Sequence, residues 1–448
     1  MNKKSVVIRT PIPGPRSREV VEREKEHLAP GLQGFALWAG VAMDHGQGST
    51  LTDVDGNTYV DLIGGIGVNS LGHCHPRYVA ALTEQASRLT VGSFTSVPRA
   101  ELVHEVCGFA PCGLDRLQLY SSGAEAVESA LRLARCATGR QEVVGFWGGF
   151  HGKTAGVMAL MGSSARHGLG PLPAGNTLVP YADCYRCPFK LAYPSCGLAC
   201  ADFVRQAVKV QPAGPVAAIL GEPMQGTAGN VIPPPEFVRA VADIAHEAGA
   251  LFIADEMITG FGRTGKPWGL DHSGAKADIC TLGKGFGSGF PIAGVLTRNE
   301  VAQAKPWSNP SGASSSYGGN AFASAAALAA VRTIREERLW QNAEVVGAAM
   351  LGELRRMQER HPFIGDVRGL GLLIGIELVK DRVTKEPLEG AVMREVYSEC
   401  VRRGLLAMTY TAHVRLQPAL TIEKDTALEG LAVLDEVFRG LAASGRWR

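Results

Sequence analysis

Lys284 stands among glycines in DICTLGKGFGSGFPIAGV, residues 278–295. The glycines give the backbone no side-chain cover, so this lysine is a phosphate ligand, a chemical nucleophile or a solvated loop residue. As a nucleophile its amine must be partly neutral, which burial and a neighbouring cation favour. Asp255 ends the apolar run LFIAD. A carboxylate at the buried end of a strand needs a cationic or donor partner. A protonated pyridinium nitrogen would suit it, and so would an arginine such as Arg263. Ser121-Ser122-Gly123-Ala124-Glu125 lies between a strand pattern and a helix pattern. Backbone N–H groups and the helix dipole make an anion site there, while the same serines also serve as plain N-caps. Phe150, with His151 beside it, follows Gly148-Gly149. An aromatic at a strand end covers a flat heterocycle or belongs to the core.

The glycines around Lys284, GKGFGSG at 283–289, scatter like a dinucleotide fingerprint. They are not one, because a strand-like run follows and not a helix. The spacing and the Ser/Thr of a Walker loop are also missing. A phosphate site, a ring cover, a carboxylate for a ring nitrogen and a lysine together make the set that pyridoxal phosphate requires.

The elements that must hold these residues follow one rhythm. From about residue 100, LQLYSS, AEAVESALRLARCAT, EVVGFW, AAILGEP, PEFVRAVADIAHEAG, LFIADE and DICTLGK alternate apolar strands with amphipathic helices. That alternation predicts a mainly parallel sheet covered on both faces. Ligands bind such sheets at the carboxyl ends of the strands, where Ser121–Gly123, Phe150, His151, Glu222, Asp255 and Lys284 all fall. Before this region, residues 1–15 form a proline-broken arm and SREVVEREKEHLA a charged helix. Asp55-Gly56 sits between two β-like runs as a hairpin turn. Gly72-His73-Cys74-His75-Pro76 reads as a turn with proline opening a helix, rather than as a metal site. After residue 320 come helices, the strand pair IGDVRGLGLLIGIELVKD, the strand segments RGLLAMTY and HVRLQPALTI, and a closing helix. The fold expected is α/β, with a large cofactor domain over 66–335. A small α+β domain is built from residues 1–65, which include the arm, and from 336–448.

Composition narrows the function classes. The 448 residues carry a formal charge of +2 and 55 glycines. The glycines suit many strand-to-helix turns, and the charge leaves no footprint for nucleic acid or membrane. No apolar run is long enough to span a bilayer. The N-terminus does not read as a signal peptide. Ten cysteines without a secretory signal predict reduced thiols and a cytoplasmic protein.

GAEAVESALRLAR, FHGKT, GEPMQG, DEMITGFGRTG, LGKGFGSGFPIAG and SYGGNAFASAAAL resemble the class III aminotransferases. These are fold-type-I pyridoxal phosphate enzymes such as the 4-aminobutyrate, ornithine and ω-amino acid aminotransferases. The likeness runs from about residue 20 to the C-terminus. It implies that Lys284 holds the cofactor as a Schiff base and shuttles the substrate proton. It implies that Asp255 keeps the ring nitrogen protonated and Phe150 stacks on the ring. Ser122, Gly123 and Ala124 would bind the phosphate, with Ser316 reaching the phosphate of the other subunit's cofactor in a homodimer or larger assembly. Glu222 would support the site, and Arg415 would bind the substrate carboxylate, for which a guanidinium is suited.

Two departures bear on substrate. Where the family often has a glutamine touching the cofactor's ring hydroxyl, this chain has Ile258. Where the 4-aminobutyrate and ornithine enzymes have a second glutamate that pairs with the arginine, it has Thr227. Thr227 cannot form that pair, so Arg415 is expected to stay available for an α-carboxylate, as in dialkylglycine decarboxylase. The reaction expected is transfer of an amino group from an amino acid to a keto acid. Racemisation or epimerisation, and decarboxylating transamination, are the alternatives within the same machinery. Cys184, Cys187, Cys196 and Cys200 have spacing that suits a structural zinc or iron–sulfur site, disulfides, or four packed thiols. No catalytic metal is expected.

Overall fold

The computed structural model describes residues 5–409 and 411–448. The first four residues of the arm, and Tyr410 at the end of RGLLAMTY, lie outside them. The chain divides into two compact units, Arg77–Arg338 and Met1–Pro76 with Leu339–Arg448.

The first of these units is built on seven strands: β1 Arg116–Tyr120, β2 Glu142–Phe146, β3 Asn176–Val179, β4 Val216–Gly221, β5 Leu251–Asp255, β6 Ile279–Leu282 and β7 Ala293–Thr297. Their order across the sheet is β1-β7-β6-β5-β4-β2-β3. β7 runs antiparallel to both of its neighbours, β1 and β6, and the remaining pairings are parallel. Every residue of β4, β6 and β7 is buried. This explains why these strands read as continuous apolar runs instead of alternating ones.

Helix α1, Gly123–Thr138, covers one face of the sheet. Ala126, Val127, Ala130, Leu131, Leu133 and Ala134 pack there with Leu220, Ile253, Ile279 and Val295. Both ends of α1 are encoded locally. Ser122 Oγ accepts from Glu125 N at 3.3 Å, and the Glu125 carboxylate accepts in return from Ser121 N at 2.9 Å. At the other end Gly139 takes φ 67 and donates to Arg135 O, the left-handed closure that glycine adopts at little steric cost. Helix α2, Pro235–Glu247, packs on β4 and β5.

The second unit joins the two ends of the chain. Strands Met43–Gln47, Thr50–Asp53 and Thr58–Asp61 form an antiparallel meander, and Leu405–Leu406 adds to it in parallel. The Asp55-Gly56 turn is the connection expected between the second and third of these strands, with Gly56 at φ 85. Ile364–Leu370, Leu373–Leu378 and His413–Leu416 make a separate antiparallel sheet. Helices Leu339–Arg360, Gly390–Arg402 and Lys424–Ser444 complete the unit. The charged N-terminal helix is shorter than its sequence pattern, Pro15–Lys25. No described helix is long and apolar enough to cross a membrane.

Candidate active site

Asp255 closes β5 and is 1% exposed. Its Oδ2 lies 2.6 Å from His151 Nδ1, and its Oδ1 accepts from Met257 N at 3.0 Å and from Thr281 Oγ1 at 3.1 Å. Burial pushes its pKa up. The His151 hydrogen bond, the His151 charge and Lys284 outweigh that, so the carboxyl is held below its usual range. His151 shows the mirror image. Burial lowers its pKa, but the Asp255 hydrogen bond and charge outweigh that, leaving it above the ordinary value. Each partner therefore favours the charged form of the other at the carboxyl end of the central strand. Arg263, the alternative partner weighed from sequence, is buried as well, and burial brings its pKa down to about 10.

Lys284 follows β6 and opens a short 3₁₀ turn, 284–286. Its backbone takes φ 45, a left-handed conformation in a non-glycine residue. Phe286 N to Gly283 O and Ser288 N to Lys284 O close the turn. Strain of this kind persists where the surroundings over-determine it. The lysine charge acts on both Asp255 and His151.

The turn at Ser122 does what plain capping predicts, since its hydroxyl accepts from Glu125 N. Gly123 and Ala124 are in the first turn of α1, where backbone N–H groups have no intrahelical acceptor. The loop carrying Phe150 packs against this turn: a Cβ on Gly152 would meet Ala124. Phe150 is half-buried, so its ring is not plain core. Glu222 holds the same loop. Its carboxylate accepts from Phe150 N at 3.0 Å and from Gly226 N at 3.1 Å. Burial and the Asp255 charge raise its pKa, and His151 opposes them. Ile258 is buried against Gly226.

Ser316 is exposed, in a segment whose next glycines, Gly318 and Gly319, press on Leu119 of β1. Arg415 belongs to the other unit, on strand His413–Leu416. It is 3% exposed, and its Nη2 approaches Met408 Sδ at 2.6 Å. Cys184, Cys187, Cys196 and Cys200 line one cavity of about 20 Å³ as free thiols. Burial pushes the Cys200 thiol up to about 11. Among the described residues no group of three or more His, Cys, Asp or Glu side chains is arranged to hold a metal ion. Met257, passed over in the sequence, has its thioether against both Gly123 and Gly283. The signal for it was two site glycines that no turn geometry requires.

In one unit, then, a helix start with unpaired N–H groups, a half-exposed aromatic, a buried carboxylate and a lysine follow the ends of β1, β2, β5 and β6. These residues fit pyridoxal phosphate: N–H donors for a phosphate, a carboxylate for a ring nitrogen and an amine for an aldehyde.

The comparisons agree with this geometry. Residues 37–438 match the model of the aminotransferase class-III family. The leucine/methionine racemase of Thermococcus litoralis is 34% identical, over 94% of this chain and 96% of its own. The isoleucine 2-epimerase of Lentilactobacillus buchneri is 34% identical over 94% and 95%. The 5-aminovalerate aminotransferase of Pseudomonas putida is 34% identical over 90% and 94%. Among solved structures, an amine transaminase from an uncultivated Pseudomonas species, in its pyridoxal phosphate-bound form, superposes with a TM-score of 0.88. It is 30% identical, covering 93% of this chain and 99% of that one. The chain belongs to the class III aminotransferases and is a pyridoxal phosphate-dependent transaminase.

Proposed function

We propose that the enzyme transfers the amino group of an α-amino acid, held by its carboxylate on Arg415, to a keto acid, with Lys284 as the amine that carries the cofactor and moves the substrate proton. The observation that carries this reading is the buried His151–Asp255 pair beside Lys284. When bound, the cofactor supplies an aldehyde to capture the amine and a ring to draw electrons from the Cα bond.

The protein's part follows from its own groups. Asp255, kept ionised by His151, would hold the proton on the ring nitrogen. Lys284, whose charge acts on both His151 and Asp255, would take and return the substrate proton. Phe150 would cover the ring, and Glu222 fixes the loop that presents it. The N–H groups of Gly123 and Ala124, with Ser122, would hold the phosphate. Ile258 offers only apolar contact where the family often has an amide. Thr227 is exposed and has no carboxylate to neutralise an arginine, which supports a substrate carboxylate as the partner of Arg415.

A homodimer completes this reading. Leu89, Val91, Phe94, Val97 and Tyr317 are apolar and exposed on the same unit as Ser316, with Phe94 89% and Val97 69% bare. Surface of that kind calls for a partner, and a second copy would bring Ser316 to the neighbouring cofactor's phosphate.

A second reading is racemisation or epimerisation of an α-amino acid. The similarity to a leucine/methionine racemase and an isoleucine 2-epimerase favours it. Both reactions use Lys284 as the proton carrier and differ in whether the amino group leaves. A panel of D- and L-amino acids and ω-amines, with and without pyruvate and 2-oxoglutarate, separates them. Turnover that requires a keto acid supports transamination. Loss of optical activity without one supports racemisation, and evolved carbon dioxide would point to decarboxylation.

A further inference from the structure

The loop over residues 148–154, which carries Phe150 and His151, is held by carboxylates on three different elements. Glu222, just past β4, accepts from Phe150 N at 3.0 Å. Asp255, closing β5, holds His151 Nδ1 at 2.6 Å. The third is Glu128, on helix α1 and outside the candidate site. Its Oε1 accepts from Thr154 Oγ1 at 2.7 Å, from Gly156 N at 2.9 Å and from Val157 N at 3.2 Å. Three donors thus converge on one oxygen, and hydrogen bonds to a charged acceptor are about twice as strong as neutral ones.

Glu128 lies one helical turn beyond Ala124, on the same face of α1. The loop meets that face at both places. Gly152 takes φ 127, where a side chain is strained. A Cβ there would lie 2.9 Å from Ala124 Cα. That atom belongs to the backbone of α1 and does not swing aside. Gly152 therefore seats the loop on the first turn of the helix, and Glu128 fastens it one turn later. Capping of the short helix Ala155–Met158 accounts for the bonds from Gly156 and Val157 alone. The Thr154 hydroxyl and the Gly152 contact extend the attachment back towards His151.

We propose that Glu128 is a positioning residue that sets the loop of Phe150 and His151 in register with the start of α1. It couples the ring cover and the partner of Asp255 to the phosphate-binding turn. This rests on reading Phe150, His151 and the α1 start as parts of the cofactor site.

The test compares the parent with Glu128→Ala, Glu128→Gln and the control Arg140→Ala. Arg140 ties Val216 O, at the amino end of β4, to Ala248 O, so its loss weakens the same unit away from the loop. Three quantities are read: hydrogen exchange over residues 148–158 in the apo-protein, the dissociation constant for pyridoxal phosphate, and the pH midpoint of the visible band of the loaded protein. Glu128→Ala is expected to speed exchange from Phe150 through Val157, to weaken cofactor binding about tenfold, and to shift the pH midpoint. That shift is absent in a His151→Phe background, because it is transmitted through His151. Glu128→Gln keeps an acceptor at Oε1 and stays within about threefold of the parent in cofactor binding. Arg140→Ala lowers the melting temperature and leaves all three quantities as in the parent. Faster exchange confined to 154–157, with unchanged cofactor affinity, would reduce Glu128 to a helix cap and overturn the proposal. So would the same pH shift in both backgrounds, or equal losses in Arg140→Ala. If Glu128→Ala does not fold, Thr154→Val, which removes one donor, is read by the same three quantities. If the parent takes up no cofactor, the cofactor-site reading fails on its own, and the exchange pattern of the apo-protein still decides whether Glu128 holds the loop.

Discussion

His151→Phe keeps an aromatic ring but removes the donor to Asp255 Oδ2, and the consequence follows from the burial of the pair. Both side chains are 1% exposed and their contact is 2.6 Å. Water does not replace the lost donor, so the variant carries a buried carboxylate deprived of its charge-assisted partner. Met257 N and Thr281 Oγ1 still serve Oδ1, which moderates the loss. Breaking such a pair from one side costs about 3 kcal/mol. At about 2 °C per kcal/mol for a unit of this size, the apo-protein should melt about 6 °C lower. The pH dependence has a definite sign. His151 has a raised pKa in the fold, so its contribution is complete below the ordinary histidine value and is lost as pH rises through the folded value. Asp255 has a lowered pKa, so its contribution holds above the ordinary aspartate value and is lost as pH falls through the folded one. Calorimetry of parent and variant across pH should show the largest gap between about pH 4 and 6.5, narrowing on both sides. Cofactor affinity should fall with it, because loss of the His151 donor raises the Asp255 pKa and weakens its hold on a ring-nitrogen proton. A variant that melts within about 1 °C of the parent throughout, with unchanged cofactor affinity, would refute the reasoning.

Three further outcomes follow from the same geometry. Arg415→Ala should lower kcat/KM about 100-fold for carboxylate-bearing substrates and spare carboxylate-free amines. Lysine at that position should not restore a bidentate grip, and equal losses on both substrate types would count against the carboxylate role. Glu256 is buried, and burial lifts its pKa to about 7 against hydrogen bonds from Thr259, Leu270 and Gly269. A raised carboxyl binds its proton more tightly in the fold. Stability should therefore fall as pH rises from about 4.5 to 7, and Glu256→Gln should remove that slope in a melting-temperature series. Ser316→Ala should weaken pyridoxal phosphate about fivefold without changing the oligomeric state, as read by titration and light scattering.

Much of this was legible in the sequence because a parallel sheet concentrates function at strand ends. LFIAD announces a buried strand, and its last residue can only be a carboxylate with a partner. The glycines around Lys284 announce a turn. What the sequence hid was the identity of that partner. Arg263 and a ring nitrogen were the candidates for Asp255, and the hydrogen-bonded group is His151, more than a hundred residues earlier and brought across by the parallel pairing of the strands. The antiparallel β7 was hidden too, since a fully buried strand shows the same apolar run in either direction. Ile258 drew attention by filling a position where the family often has glutamine, yet it packs on Gly226. Its neighbour Met257, two residues past the end of β5, lies against Gly123 and Gly283. The four cysteines line one cavity as free thiols, and their chemistry depends on thiol separations that spacing does not set.

The central claim is that Lys284 bears the cofactor, and one measurement addresses it directly. Borohydride reduction of the loaded enzyme, followed by proteolysis and mass spectrometry, locates the modified side chain. The expected result is a single pyridoxyl-phosphate adduct on the peptide carrying Lys284, with loss of the visible band, and no adduct in Lys284→Ala. An adduct on another lysine, or an unmodified Lys284 in a fully bleached protein, would contradict it.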